Sequence, residues 1–255
     1  MIVFHSDLDN TMIYSYKHEI GKEKRCVEIY QGREISYMTR ASYELLERVR
    51  DKILFVPTTT RTREQYERID MGGAVPEYAL VCNGGVLLTD GEEDEGWYRE
   101  SLRLVADCQK EFERARAYLK TDRHICFEIR NIRELFLFTK SSEPEETVGK
   151  LRARLQGELV DVFSNGQKVY VVPGKLNKGT AVERFREKIH PDFVIATGDS
   201  EFDIPMLAAA DLGMAPGALA EKYTVSDRVI CADKTRVFSD TILKYIWEEL
   251  ECRRV

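Results

Sequence analysis

Two aspartates near the start of the chain, Asp7 and Asp9, are spaced so that they could act on one substrate. The apolar run 2–4 before them predicts a strand, and side chains two positions apart in a strand point to the same side. Asp and Asn favour turns, so we expect the strand to end at this pair. Two close carboxylates repel each other unless a cation lies between them, and Mg²⁺ prefers such oxygen ligands. One aspartate could then be a nucleophile and the other a general acid/base, whereas a solvated turn is the alternative interpretation.

A second pair of aspartates, Asp199 and Asp203, follows another apolar run at 193–197. The pair enters a predicted helix, so capping is an alternative explanation for Asp203. Asp199 comes directly after Gly198 and has fewer structural explanations. Both pairs therefore place carboxylates at predicted strand ends, where an open parallel α/β sheet binds its ligands.

Hydroxyl and ammonium groups occur at two further predicted strand-to-helix turns. Thr59 and Thr60 follow the apolar run 53–57, and hydroxyls beside the free N–H groups of a helix N-terminus could bind phosphate. Ordinary N-capping explains these threonines equally well. Lys178 begins a predicted helix, although the helix dipole favours lysine near the opposite end. A phosphate-facing role would explain that position, and a surface lysine is the alternative.

The elements that carry these residues predict an α/β fold, with a Rossmann-like parallel sheet and helices on both of its faces. A third core strand is predicted at 78–82. In the segment after it, the predicted order is strand, helix, strand, strand, helix, strand, which differs from the regular strand–helix alternation of the core. We therefore predict a core formed by residues 1–84 and 173–255, and an inserted α+β domain at residues 85–172.

The composition is that of a globular protein, because 43% of the 255 residues are hydrophobic and 32% are charged. The net charge of −6 disfavours a nucleic-acid partner, and no apolar run approaches the roughly 20 residues of a membrane span. The first strand begins at Met1 and leaves no room for a signal peptide, so we expect a cytoplasmic protein with no membrane partner. The six cysteines lack CxxC spacing, which fits reduced thiols better than a zinc site.

The motifs, taken in order, resemble those of the haloacid dehalogenase superfamily of phosphatases. They are Asp7-Leu8-Asp9-Asn10-Thr11, Thr58-Thr59-Thr60-Arg61, Lys178, and Gly198-Asp199-Ser200-Glu201-Phe202-Asp203. The insertion between the second and third motifs looks like the large C2-type cap of the Cof-type, sucrose-phosphatase-like and mannosyl-3-phosphoglycerate-phosphatase-like branch. Phe202 departs from this branch, which often has Asn there, and the departure puts one phosphate or lysine contact in doubt.

The resemblance implies a role for each motif residue. Asp7 would attack phosphorus and become an aspartyl-phosphate, while Asp9 would protonate the leaving group and then activate water. The phosphoryl group would be bound by Thr59, Thr60 and Lys178. The Mg²⁺ ion would be held by Asp7, the main-chain carbonyl of Asp9, Asp199 and Asp203.

The resemblance also implies that the cap closes over the site and selects the substrate. Arg130 and Arg133 form a basic pair between two predicted cap strands and could hold a second anionic group, although solvated loop residues are the alternative. Asn177 could replace part of the amide contact that Phe202 removes. Further substrate candidates are Arg61 and Asn83, in the turns after two core strands.

The predicted function is therefore Mg²⁺-dependent hydrolysis of a small phosphorylated metabolite, such as a sugar phosphate, by a monomer or homodimer. A phosphomutase would use the same aspartates, and a non-catalytic phosphometabolite-binding protein would tolerate the loss of Asp9. A dinucleotide enzyme is disfavoured because no G-x-G-x-x-G follows a predicted strand.

Overall fold

The computed structural model describes residues 1–233 and 236–252. The strands are β1 (Ile2–Ser6), β2 (Tyr14–Ser15), β3 (Lys24–Tyr30), β4 (Arg33–Thr39), β5 (Leu54–Pro57), β6 (Tyr78–Val81), β7 (Val86–Thr89), β8 (Glu92–Glu93), β9 (Arg130–Ile132), β10 (Phe136–Lys140), β11 (Val160–Asn165), β12 (Lys168–Pro173), β13 (Phe193–Thr197), β14 (Leu212–Pro216) and β15 (Val229–Ala232). The helices are α1 (Arg40–Arg50), α2 (Arg63–Tyr66), α3 (Glu95–Leu104), α4 (Gln109–Leu119), α5 (Pro144–Arg152), α6 (Lys178–Ile189), α7 (Ile204–Ala209), α8 (Gly217–Lys222) and α9 (Phe238–Cys252). Short 3₁₀ turns occur at Ala106–Cys108 and Glu201–Asp203.

A five-stranded parallel sheet with the strand order β15-β14-β13-β1-β5 forms the centre of the first compact unit. The middle of this sheet is almost wholly apolar because helices cover both of its faces. Ser6, the last residue of β1, lies opposite Thr197 of β13 and Pro57 of β5. The three strands therefore end level with one another, and the chain leaves all of them at the same edge.

Helices pack on opposite faces of this sheet. Side chains alternate between the faces, so Ile2 and His5 of β1 point in opposite directions. Ile2 lines a small pocket with Ile246 of α9, whereas the ring of His5 lies 5.3 Å from the ring of Phe185 in α6. These contacts confirm the predicted α/β architecture with helices on both faces. Burial lowers the pKa of His5 to about 3, with a smaller contribution from Arg186, so His5 is a neutral residue of the core.

Two antiparallel sheets flank the parallel one. One of them follows the first motif, where β3 and β4 form a hairpin and β2 adds a third strand. The strands β6, β7 and β8 form the other sheet, which a parallel bridge between Thr58 and Leu80 joins to the end of β5. Because β7 pairs with β6, residues 86–89 belong to the core unit. The sequence pattern predicted that these residues belong to the inserted domain.

The chain divides into two compact units, one formed by Met1–Glu93 with Lys178–Val255 and the other by Asp94–Asn177. The observed boundaries, after Glu93 and Asn177, come later in the chain than the predicted boundaries, which were after residues 84 and 172. The second unit has a four-stranded antiparallel sheet with the order β11-β12-β10-β9, and residues of α4 and α5 pack into its hydrophobic core. In the described ranges, 1–233 and 236–252, we find no helix with the length and hydropathy for a bilayer crossing.

Candidate active site

A buried lysine lies between two carboxylates at the edge where β1 and β13 end. Asp7 directly follows β1, and its backbone N–H donates to the carbonyl oxygen of Thr197 at 2.9 Å. Lys178 is the first residue of α6 and is only 1% exposed. Its Nζ donates to Oδ1 of Asp7 at 2.5 Å and to Oδ1 of Asp203 at 2.6 Å. The lysine that appeared misplaced at a helix start thus has a buried position between two predicted site residues.

Asp203 is fixed by the turn that follows β13. Its Oδ2 accepts from the backbone N–H of Asp199 at 3.1 Å, from that of Ser200 at 3.0 Å and from the Ser200 hydroxyl at 2.8 Å. This close packing requires glycine at position 198, because a Cβ there would lie 2.2 Å from Cβ of Asp203. The Gly-Asp-x-x-x-Asp spacing therefore has a steric basis.

Gly198→Ala is expected to lower the free energy of unfolding by roughly 1–3 kcal/mol, because the new methyl group must push Asp203 away from its three donors. Urea unfolding followed by circular dichroism measures the loss. Gly149→Ala is the matched control, since nothing lies within 4 Å of a Cβ at that helical position. Equal stability of Gly198→Ala and the wild type would contradict this account of the turn.

Three carboxylates form a group that could hold a metal ion. Asp7, Asp199 and Asp203 each offer one oxygen, and these oxygens all lie within 4.8 Å of one another. The hydroxyl of Thr11 donates to Oδ1 of Asp199 at 3.4 Å. All-oxygen, carboxylate-rich donor sets suit Mg²⁺, so the residues present fit the predicted ion.

The pKa values of the charged side chains in this group differ strongly from their ordinary values. Burial raises the pKa of Asp7 to about 7, although nearby Lys178 lowers it and Asp203 raises it further. Burial also raises the pKa of Asp199 to about 8, and Asp203 and Asp7 add to that effect. Burial lowers the pKa of Lys178, but Asp203 and Asp7 outweigh it and the net shift is upward. The site thus concentrates more carboxylate charge than one ammonium group neutralises, a state that a divalent cation would relieve.

Asp9 lies outside the group of three and has a different partner. Its two carboxylate oxygens accept from Nε and Nη2 of Arg61 at 2.8 and 2.7 Å, which is a bidentate pair. The side chain of Asp9 is 47% exposed, whereas that of Arg61 is 13% exposed. Arg61 therefore has Asp9 as a partner, and its predicted contact to a substrate stays a prediction. A ligand role for the main-chain carbonyl of Asp9 stays a prediction.

The threonine turn lies at the end of β5, beside the end of β6. Thr59 is fully buried, and its Oγ1 accepts from the backbone N–H of Arg61 at 3.2 Å. Its carbonyl oxygen accepts from the N–H of Asn83 at 2.9 Å. Asn83 is buried with a φ of 60°, and Thr60 is half-buried. The two turns are therefore connected to each other, while their contacts to phosphate stay predictions.

The other predicted substrate residues belong to the second unit. Nδ2 of Asn177 donates to the carbonyl oxygen of Gly174 at 2.9 Å. Arg130 is exposed and donates to Glu128 at 2.6 Å, and the guanidinium of Arg133 lies 4.5 Å from the ring centre of Tyr98. Their contacts to a substrate are untested predictions. In the core unit, Phe202 is 8% exposed, so the residue that departs from the family pattern is a buried one.

One buried acidic residue close to the site was missed by the sequence reasoning. Glu28 in β3 is 1% exposed and forms an ion pair with Nη1 of Arg61 at 2.9 Å. In the sequence, Glu28 stands between Val27 and Ile29, where an alternating strand predicts a solvent-facing residue. The irregular pairing of β3 with β4 at this position was the missing information.

Comparison with solved structures places the fold in a known class. The sucrose-phosphatase from Synechocystis, solved with sucrose and phosphate, has a TM-score of 0.69 at 17% identity and covers 98% of each chain. A haloacid dehalogenase-like hydrolase from B. subtilis has a TM-score of 0.62 at 14% identity and covers 97% of this chain and 99% of its own. At these identities the likeness concerns the fold.

Comparison of the sequence identifies the family. Residues 83–224 match the model of the haloacid dehalogenase-like hydrolases, and the chain belongs to this family. A phosphoglycolate phosphatase from Methanopyrus kandleri is 27% identical over 176 residues, which are 68% of this chain and 73% of that relative. The predicted membership of the haloacid dehalogenase superfamily is thereby confirmed.

Proposed function

We propose that this chain is a Mg²⁺-dependent phosphatase that releases phosphate from a small phosphorylated metabolite through an aspartyl-phosphate on Asp7. The observation that carries the proposal is the buried ammonium group of Lys178 between the carboxylates of Asp7 and Asp203. A nucleophile with a fixed cation beside it suits attack on an anionic phosphoryl group. Membership of the hydrolase family and the phosphoglycolate phosphatase relative support the same reaction.

In the first step, an oxygen of Asp7 forms a bond to phosphorus while the bond from phosphorus to the ester oxygen breaks. Asp9 gives a proton to the departing oxygen, so that the product leaves as an alcohol. Lys178 offsets the negative charge that Asp7 and the phosphoryl oxygens bring together. The hydroxyl groups of Thr59 and Thr60 bind the phosphoryl oxygens.

In the second step, water attacks phosphorus and the bond from phosphorus to Asp7 breaks. Asp9, now a carboxylate, removes a proton from the attacking water and returns to its protonated form. Inorganic phosphate leaves, and both aspartates regain their starting states. The net reaction consumes one phosphomonoester and one water, and it yields one alcohol and one phosphate.

Asp7, Asp199 and Asp203 would hold the Mg²⁺ ion, with the main-chain carbonyl of Asp9 as a further ligand. When bound, Mg²⁺ would neutralise part of the negative charge on the nucleophile and on the phosphoryl oxygens. The chain orients these ligands itself: the Thr11 hydroxyl donates to Asp199, and the N–H groups of the turn donate to Asp203.

Phosphoglycolate is the first substrate to test, because the Methanopyrus relative is named for its action on this compound. Sugar phosphates come second, since a sucrose-phosphatase has the same fold. Arg130 and Arg133 are the candidates for binding a second anionic group, such as the carboxylate of phosphoglycolate.

The test is phosphate release from a panel of phosphoglycolate, several sugar phosphates and p-nitrophenyl phosphate, with Mg²⁺ and after chelation with EDTA. We expect turnover that chelation abolishes and added Mg²⁺ restores. A panel without phosphate release at saturating Mg²⁺ would contradict the phosphatase proposal. Undiminished turnover after complete chelation would contradict only the role of the metal, and an isomerised sugar phosphate among the products would indicate a phosphomutase.

A further inference from the structure

Glu28 is a buried carboxylate outside the residues to which the reaction above gives a role. Its Oε2 accepts from the hydroxyl of Ser36 at 2.7 Å, across the hairpin formed by β3 and β4. Its Oε1 lies 2.9 Å from Nη1 of Arg61 and 3.2 Å from Nη2 of Arg68. The Glu28 side chain is completely shielded from solvent. Two guanidinium groups and a hydroxyl therefore hold this carboxylate in one place.

Arg61 connects Glu28 to Asp9. The guanidinium group is planar and has five N–H donors in a fixed arrangement. Nε and Nη2 of Arg61 donate to the two oxygens of Asp9, and Nη1 lies against Glu28. Burial opposes the charge of Arg61, but hydrogen bonds and ion pairs with Asp9 and Glu28 raise the pKa of Arg61 overall. One cation thus joins an exposed aspartate to a buried glutamate.

The pairing of β3 with β4 is irregular at Glu28, and this irregularity determines where the Glu28 side chain points. The register of β3 with β4 shifts between Cys26 and Glu28 and again between Glu28 and Ile29. The next two residues are exposed although their side chains are largely hydrophobic: Ile29 is 59% exposed and Tyr30 is 46% exposed. An irregularity of this kind re-aims a side chain at the cost of regular pairing. Here it turns the acidic residue inward, toward Arg61, and leaves its apolar neighbour outside.

We propose that Glu28 is a positioning residue that acts through Arg61 on Asp9. Without a second anchor, a long arginine side chain would lose considerable rotamer freedom to hold an exposed aspartate, which makes such pairs weak. Glu28 fixes the plane of the guanidinium group before Asp9 binds to it. Asp9 is then held in one orientation by the two hydrogen bonds from Arg61.

This role rests on the proposed function and concerns mainly its second step. Hydrolysis needs Asp9 oriented toward the attacking water, and the two hydrogen bonds from Arg61 fix the orientation of the Asp9 side chain. With p-nitrophenyl phosphate, the departing p-nitrophenolate is stable as an anion and needs little help from a proton donor, so the first step depends less on Asp9. Loss of Glu28 is therefore expected to slow hydrolysis of the aspartyl-phosphate by roughly 10- to 100-fold and to slow its formation less.

The experiment compares Glu28→Gln and Arg61→Lys with the wild type, using p-nitrophenyl phosphate and Mg²⁺ in a stopped-flow instrument. Glu28→Gln keeps the size of the side chain, and Arg61→Lys keeps a cation but lacks the planar fork. In both variants we expect a burst of p-nitrophenolate of about one equivalent per site, followed by a slow steady state. Acid quenching and intact-protein mass should then find phosphate on most of the protein.

Glu111→Gln is the matched control, because Glu111 is 2% exposed and pairs with Arg114 at 2.8 Å, in the second unit. This variant loses a buried carboxylate as Glu28→Gln does, and we expect its burst and steady-state rate to stay within twofold of the wild type. A larger burst in Glu28→Gln and Arg61→Lys, with no such change in Glu111→Gln, supports the positioning role.

Other results would overturn the role in distinguishable ways. If the wild type turns over and both variants show its ratio of burst to steady-state rate, Glu28 and Arg61 only stabilise the fold, and the proposed function stands. If Arg61→Lys produces the burst while folded Glu28→Gln does not, Arg61 acts without its anchor and the role of Glu28 is wrong. If the wild type itself releases no phosphate, the proposed function fails and this role fails with it.

Discussion

Asp7→Asn is expected to lower phosphate release by about 10⁴-fold or more, since the amide has no oxygen that can form the aspartyl-phosphate. The substitution hardly changes the shape of the side chain. Lys178 keeps its hydrogen bond of 2.6 Å to Asp203, so the buried ammonium group still has a carboxylate partner. The loss of activity should therefore come from chemistry and not from unfolding.

The stability of Asp7→Asn supplies a check on that interpretation. Burial raises the pKa of Asp7 to about 7, so the folded state disfavours the carboxylate of Asp7 that the unfolded chain accommodates readily. We therefore expect the variant to melt at a temperature at least as high as the wild type at pH 8, while acid-quenched samples contain no protein-bound phosphate. A phosphorylated Asp7→Asn protein would contradict the assignment of the nucleophile.

Lys178→Met is expected to remove most of the activity and to destabilise the fold as well. The substitution keeps a long side chain in a fully buried position, but it leaves Asp7 and Asp203 without their common cation. Removing one partner of a buried ion pair typically costs about 3–5 kcal/mol, and the loss of one electrostatic stabiliser in an active site typically costs about 10²- to 10³-fold in rate.

The destabilisation by Lys178→Met should depend on pH, and its sign follows from Asp7. The pKa of Asp7 is already raised to about 7 in the folded wild type, and Lys178 is a group that lowers it. In the variant, the pKa of Asp7 rises further. Between the pKa of the unfolded chain and that of the folded variant, the folded state binds the extra proton, so its stability falls as pH rises. Both folded proteins hold Asp7 protonated near pH 5, so there the loss reflects mainly Asp203, and it grows above about pH 7, where Asp7 ionises in the wild type only.

Urea unfolding of both proteins at pH 5 and pH 8, without Mg²⁺, measures this dependence. Lys150→Met is a suitable control, because Lys150 is a partly exposed partner of Glu146 in the second unit. We expect that control to change the free energy of unfolding equally at both pH values. A loss in Lys178→Met that is the same at pH 5 and pH 8 would mean that Asp7 does not titrate with the lysine.

The convergence of Asp7 with Asp199 and Asp203 was predictable because the parallel strands β1 and β13 end at a common edge, where a short turn carries each side chain toward the same space. Lys178 follows β12 of the antiparallel sheet, so this rule does not explain its position. The pairing of Ser6 with Thr197 is the detail that makes this rule work here. The predicted architecture was correct for the same reason, since buried parallel strands appear in the sequence as unbroken apolar runs. The local sequence pattern was sufficient to predict a residue's position where that position depended only on a buried face or on the end of one strand.

The direction of long side chains was not predictable from local pattern. Arg61 stands in a motif beside two phosphate-binding candidates, yet it turns to Asp9 because a buried anion, Glu28, lies on the other side of its guanidinium group. Glu28 comes from a different sheet, and its inward direction depends on a register shift. β14 was missed as well, because Gly213 and Pro216 weaken the strand signal in its short sequence.

The order of the parallel sheet has a consequence for how the chain is made. β1 lies between β5 and β13, and Asp7 is 171 positions from Lys178. The ribosome releases β1 and β5 long before β13 exists, so β1 keeps one open edge until β13 is made. Contacts between such distant positions also make folding slow. Asp7 therefore acquires its ammonium partner only after Lys178 has been made, and until β13 pairs with β1 a nascent chain can aggregate along the open edge of β1.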